Sequence, residues 1–144
     1  MKREPFRDLR KHINDMTSYE IQVIRNAIVV AKNNSRIRVP NHLKDRLRQK
    51  YITMDDVANT IERGHIIEAH IIDYSFRVLL RLHKEGTNKD VCVVVELVDN
   101  VIVTTFTNQS ADTHKTLREE LYDKDLDVVE LLSECKRNKH WACT

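Results

Sequence analysis

Pro40-Asn41-His42-Leu43-Lys44-Asp45-Arg46-Leu47 opens the stretch that decides the fold, and Val101-Ile102-Val103-Thr104-Thr105-Phe106 closes it. Proline suits a first helical turn, where its missing N–H costs nothing. Leu43 and Leu47, four apart, give this helix a buried edge, while His42 and Arg46 share the adjacent face. A second helix is predicted from Thr53, with Thr53 as N-cap and Asp55 and Asp56 at its positive end, to Arg63. Gly64 is expected to stop it in the left-handed conformation that other residues adopt at a steric cost. From His65 the apolar period changes to two. Strands are predicted over 66–72, 76–83, 91–98 and 101–106, with Asp73-Tyr74-Ser75 and a segment around Gly86 as turns. Asp99-Asn100 reads as a two-residue hairpin turn, which sets Val98 opposite Val101, Glu96 opposite Val103 and Val94 opposite Thr105.

Outward from this stretch the pattern is helical. Thr17-Ser18-Tyr19-Glu20 is a capping box, and Ile21, Ile24, Ile28 and Ala31 carry a helix to about Lys32. Residues 4–16 read as a short polar helix, and Arg36-Ile37-Arg38-Val39 as a short extended piece. After Phe106 the chain turns polar, and a last helix is predicted from Asp125 to Lys136. The expected fold is α+β: N-terminal helices packed on one face of a four-stranded antiparallel meander, with a helical C-terminal extension. One domain is expected over 1–144, divided into a helical extension (1–39), a helix-helix-meander core (40–107) and a second helical extension (108–144).

Composition narrows the function classes. With 41% hydrophobic and 32% charged residues the chain is that of a folded protein. No apolar run approaches the roughly 20 residues that cross a bilayer, so no membrane partner is expected. Met1-Lys2-Arg3-Glu4-Pro5 lacks the apolar segment of a signal peptide. Three cysteines without a framework pattern fit a reducing compartment, and a cytoplasmic location is expected. Net charge is +2, unevenly spread: residues 1–50 hold 13 Lys+Arg against 5 Asp+Glu, and residues 51–144 hold 11 against 17. The basic segment Lys32–Lys50 suits a polyanion, although it would equally suit the acidic remainder of the chain.

Strand alternation places Arg77, Arg81 and His83 together on one face, expected to be solvated. Guanidinium forks match phosphate geometry, and a histidine moves protons near neutral pH. That set suits metal-free RNA cleavage, in which a base takes the 2′-hydroxyl proton and arginines stabilise the charge growing on phosphate. Scattered charge on a wet face is the blander reading. With glycine only at Gly64 and Gly86 there is no phosphate-binding loop, and no cofactor is expected. Cys135-x4-His140-x2-Cys143 offers three metal ligands but not the paired spacing of a structural zinc site, so no metal is assigned. Asn108-x3-Asp112-x-His114 could line the same site or simply cap a loop.

His42-x3-Arg46, then Lys50-Tyr51-Ile52-Thr53-x2-Asp56-Val57-x3-Ile61-x2-Gly64, then Val93-Val94-Val95 and Val101-Ile102-Val103-Thr104, resembles a family of small bacterial domains. That family in turn resembles the RelE/barnase-like superfamily of metal-independent ribonucleases, many of them toxins. The resemblance covers about residues 40–107. Lys50 and Tyr51 stand where the family often has Arg and Gly, and Cys92 where it commonly has His. By position the resemblance implies His42, Arg46, Arg77 and Thr104 or Thr105 as site residues. Joined to the strand argument, the expected catalytic set is His42, His83, Arg77 and Thr104. The expected nucleic-acid-binding set is Arg46, Arg81, Lys50, Arg48, Arg38 and Thr105. The partners implied are RNA and a protein such as an antitoxin or host target. The alternative is a non-catalytic interaction protein on the same fold, a phage-type or antitoxin-type inhibitor of a host protein.

Overall fold

The computed structural model describes residues 8–35, 37–111 and 122–142. It is an α+β fold with one antiparallel sheet in the order β1-β2-β3-β4-β5. The strands are β1 (Leu9–His12), β2 (His65–Ile72), β3 (Ser75–His83), β4 (Lys89–Glu96) and β5 (Val101–Gln109). The helices are α1 (Ser18–Val30), α2 (Asn41–Gln49), α3 (Met54–Arg63) and α4 (Val128–Ala142).

The sheet therefore has five strands and not four. The added strand comes from residues expected to be helical, since Leu9–His12 pairs with Ile71–Glu68 of β2. The apolar periodicity of this segment is hidden because its inward-facing positions are Leu9 and a lysine. Lys11 is buried, and its Nζ donates to both carboxylate oxygens of Glu20 and to the Leu126 carbonyl. A charged residue on the buried side of a strand reads as exposed until its partner is known.

The helix starts follow their local chemistry. Thr17 Oγ1 accepts from Glu20 N while Glu20 Oε1 accepts from Thr17 N, and Thr53 and Asp56 repeat the exchange at α3. Pro40 stands one position before its expected place, as the N-cap of α2. The helix from Thr17 passes into a π-helical turn over Ala31–Ser35. α4 begins three residues later than predicted and continues to Ala142.

Gly64 corrects the reading of its own role. Its φ is −66°, not left-handed. A Cβ there would lie 2.3 Å from the Thr60 carbonyl oxygen, so glycine is required by the close approach of α3's last turn. The left-handed residue is instead Tyr51, with φ 57°, just past α2. Asp73 and Tyr74 are also left-handed and form the two-residue turn between β2 and β3.

The β4–β5 hairpin differs from its predicted register. Glu96 pairs with Val101, Val95 with Ile102 and Val94 with Thr104, with Val103 bulged out. The loop is Leu97–Asn100, because Glu96 Oε1 accepts from the Val98 and Asp99 amides while its Oε2 accepts from Phe76 N. A carboxylate that satisfies three amides holds a wider loop than Asp99-Asn100 alone would close. The shift sends Thr104 to the face of Arg77 and Arg81, and Thr105 to the opposite, core-side face.

On that core side, Ile71, Phe76, Val78, Leu80, Val93, Val95 and Ile102 are fully or nearly fully buried. α3 lies against β3 and β4, α2 against β5, and α4 against α1 and β3. Ile24 and Ile28, Leu43 and Leu47, Val57 and Ile61, and Leu131 and Leu132 join one hydrophobic cluster with the strands. Arg38 extends β5 by one parallel bridge, donating to the Asn100 carbonyl and accepting from Ile102 N.

Candidate functional site

The predicted site residues do not converge on one point. Arg77 and His83 share a face of β3 but are six residues apart, or about 20 Å along a strand. Arg77 pairs with His70 and Glu96 at one end of the sheet, and its Nε donates to Ser75 Oγ. His83 pairs with Asp90 at the other. His42 lies in the first turn of α2, next to the Arg38 bridge at the Asn100 end. It is exposed and belongs with Arg77's end, not with His83's.

Thr104 is four residues from Asn108, the partner of Asp90, so it stands about 13 Å along β5 from the His83 level. Thr105 is fully buried, which removes it from any phosphate-facing role. Arg38, Arg46 and Arg48 are exposed. Lys50 Nζ donates to the Thr105 carbonyl at 2.7 Å and ties α2 to the edge of β5.

The structure does bring together the second half of the expected strip. Arg81 Nε donates to Asp90 Oδ2 at 2.7 Å, and its NH2 donates to the Gln109 carbonyl at 3.1 Å. Arg81 is buried, contrary to its expected solvated position, because the β3–β4 hairpin sets a carboxylate two residues along the facing strand. His83 Nδ1 lies 3.0 Å from Asp90 Oδ1 and 3.0 Å from Ser110 Oγ, and that hydroxyl donates to Asp90 Oδ1 at 2.8 Å. Burial opposes ionisation of Asp90, but the hydrogen bonds from Ser110, Arg81 and His83 outweigh it and hold the carboxyl below its ordinary range.

An ionised Asp90 fixes His83 with the proton on Nδ1, which leaves the Nε2 lone pair for a substrate. The His83 side chain is 51% exposed, against 14% for Asp90. This is a carboxylate-oriented histidine presented to solvent, a unit that can accept and return a proton. Asp90 and Ser110 were not among the predicted site residues. Counting the hairpin back from Gly86 would have found Asp90, since it closes opposite His83. Ser110 is placed by the end of β5, which nothing local in the sequence marks.

A second charged cluster covers the β1 end of the same face. Arg10 NH1 donates to Glu68 Oε2, Tyr122 donates to Glu68 Oε1 at 2.6 Å, and His70 Nε2 stands 2.6 Å from Asp8 Oδ1. Tyr122 also bridges to Arg10 through the backbone and sets its ring edge-on to His12. Burial, then the charge of Arg10, lowers the pKa of His70. These groups answer one another and lock residue 122 to the sheet edge.

Of the Cys-His-Cys set, Cys135 is fully buried and its thiol is pushed up to about 12 by burial and by Glu96 and Glu134, so it presents no ligand to solvent. The His140 side chain and Cys143 lie outside the described residues, as do Asp112 and His114. Among the described residues no helix is long and apolar enough to cross a membrane.

Residues 39–107 match the model of a family described as a domain of unknown function, DUF4258. The matched segment is just under half of the chain and runs from the residue before Pro40 to near the end of β5, so it contains His83, Asp90 and Tyr51 but not β1, α1, Ser110 or α4. No curated protein and no solved structure matches the chain.

Proposed function

We propose that the protein binds RNA and cleaves it without a metal ion, with His83 as the proton-transfer residue. The observation that carries this reading is the Asp90–His83 contact, which engages Nδ1 and leaves Nε2 without a described partner on a half-exposed ring. His83 Nε2 takes the proton of a ribose 2′-hydroxyl. The 2′-oxygen bonds to the adjacent phosphorus as the bond to the 5′-oxygen breaks. The leaving 5′-oxygen takes a proton from water, and the products are a 2′,3′-cyclic phosphate and a 5′-hydroxyl end. Asp90 stabilises the imidazolium formed on the way. The exposed cations of α2 and its approach (Arg38, Lys44, Arg46 and Arg48) supply the sequence-independent attraction to phosphate.

The test is incubation with total RNA in excess EDTA. Defined fragments with cyclic phosphate ends are expected from the wild type and from His42→Ala and Arg77→Ala. His83→Ala should lose a factor of about 100 or more in rate. Cleavage that survives in His83→Ala would remove the assignment. A second reading, a non-catalytic protein-binding module, is supported by Tyr19, Val29 and Val30, large apolar side chains left exposed along α1. Intact RNA under every condition would favour it.

A further inference from the structure

Tyr51 ends α2 in a conformation that its own side chain disfavours. Its φ of 57° lies in the left-handed region, where a Cβ meets backbone and glycine is at ease. The conformation is held from several sides. Tyr51 N donates to the Arg48 carbonyl, Ile52 N to the Leu47 carbonyl, and Lys84 Nζ to the Tyr51 carbonyl at 3.3 Å. Lys84 is anchored in turn to Asp56 Oδ2 at 2.9 Å. The result is a tyrosine that is 87% exposed, the most exposed large apolar residue among those described. Burial therefore does not explain a tyrosine at this place.

Its surroundings suggest a ligand class. Arg48 is exposed one turn back on α2. Lys84, whose ammonium reaches the Tyr51 carbonyl, directly follows His83 in the chain. Tyr51 thus stands on the helix-covered side of the sheet, at the same end as the Asp90–His83 pair on the other face, with Lys84 linking it to the end of β3. A solvent-facing tyrosine held by its backbone, with the exposed Arg48 one turn back and the Asp56-paired Lys84 at its carbonyl, offers an aromatic face of the kind on which unpaired bases stack.

We infer that Tyr51 is a stacking platform for an unpaired base, so that the RNA engaged at this end of the molecule is single-stranded. The inference rests on the nucleic-acid reading above and adds the strand class and a second contact point. A duplex keeps its bases in register with each other and offers no free base face to the ring.

The experiment is fluorescence anisotropy with a labelled 2′-O-methyl oligouridine, which cannot be cleaved by 2′-oxygen attack, and with the same strand in duplex form. Wild type, Tyr51→Phe, Tyr51→Ala and Tyr51→Gly are compared. Tyr51→Gly relieves the backbone strain, so weaker binding in it cannot be ascribed to misfolding. The expected result is that Tyr51→Ala and Tyr51→Gly bind the single strand about tenfold more weakly, that Tyr51→Phe binds as wild type, and that duplex binding is unchanged. Equal single-strand binding by all four proteins would overturn the platform and leave the RNA reading standing. An equal loss on duplex would also overturn the platform. No binding of either probe by the wild type would overturn both.

Discussion

Two ion pairs on this sheet look alike in the sequence and differ in what they can do. Lys11–Glu20 joins β1 to α1, and all of its capacity is spent inside the molecule. The ammonium has three acceptors, and Glu20 also accepts from Thr17 N and Val128 N. Arg81–Asp90 is nearly as well buried, but it ends in His83, whose second ring nitrogen has no described partner. A charged cluster closed on itself is a staple. One that orients a final titratable group and leaves it open can act on something else.

The largest effect should come from opening the closed cluster. Glu20→Ala leaves Lys11 charged and buried, and strips two amides of their acceptor. A loss of about 3–5 kcal/mol in unfolding free energy is expected, measured by urea titration. A loss below about 1 kcal/mol would mean that water reaches Lys11 and that the pair is not closed.

Arg81→Ala tests the other side of the comparison. A strip of solvated arginines would tolerate the change. The structure instead has Arg81 neutralising a carboxylate that is itself mostly buried, so a cost of about 1–3 kcal/mol is expected. Arg77→Ala, whose described bond is one to a serine hydroxyl, should cost less. Equal stability of the two variants would break the distinction between the two ends of β3.

How much of this was legible without coordinates depended on whether the signal was local. The capping box at Thr17, the N-cap at Thr53 and the change of period at His65 are written within a few residues and stand as read. β1 was missed because its inward residue is a lysine whose partner lies nine positions away in another element. The β4–β5 register was misread because Glu96 holds the loop through contacts made to Val98, Asp99 and Phe76 only once the strands are paired. At the site, alternation correctly grouped Arg81 and His83. It could not show that Asp90 would bury the first and orient the second, nor that His42 would stand at the far end. In the sequence Tyr51 is marked only as a departure from glycine, and its φ supplies the reason glycine would fit there.

Acid should separate the two clusters further. Glu20 and Asp90 both have folded pKa values below the ordinary carboxylate value, in each case because hydrogen bonds outweigh burial. A depressed carboxylate adds stability that is present above its unfolded pKa, about 4, and is lost as pH falls through the folded value. Unfolding free energy should therefore drop below about pH 4. Asp90→Asn should remove part of that drop while leaving the part due to Glu20. An unchanged acid slope in Asp90→Asn would mean that Asp90 is not held ionised by its partners.

His83→Ala should have the smallest effect on stability and is for that reason the most informative. The ring is half exposed, and Asp90 keeps Arg81 and Ser110 when it is gone. A change within about 0.5 kcal/mol is expected, as for other surface positions. If the variant were instead destabilised as much as Arg81→Ala, His83 would belong to the fold and its open nitrogen would be incidental. If stability holds while cleavage in EDTA disappears, Arg81 and Asp90 are the support and His83 is the group supported. The same strand would then be structural at Arg81 and chemical two residues later, where its register carries it to the rim of the sheet.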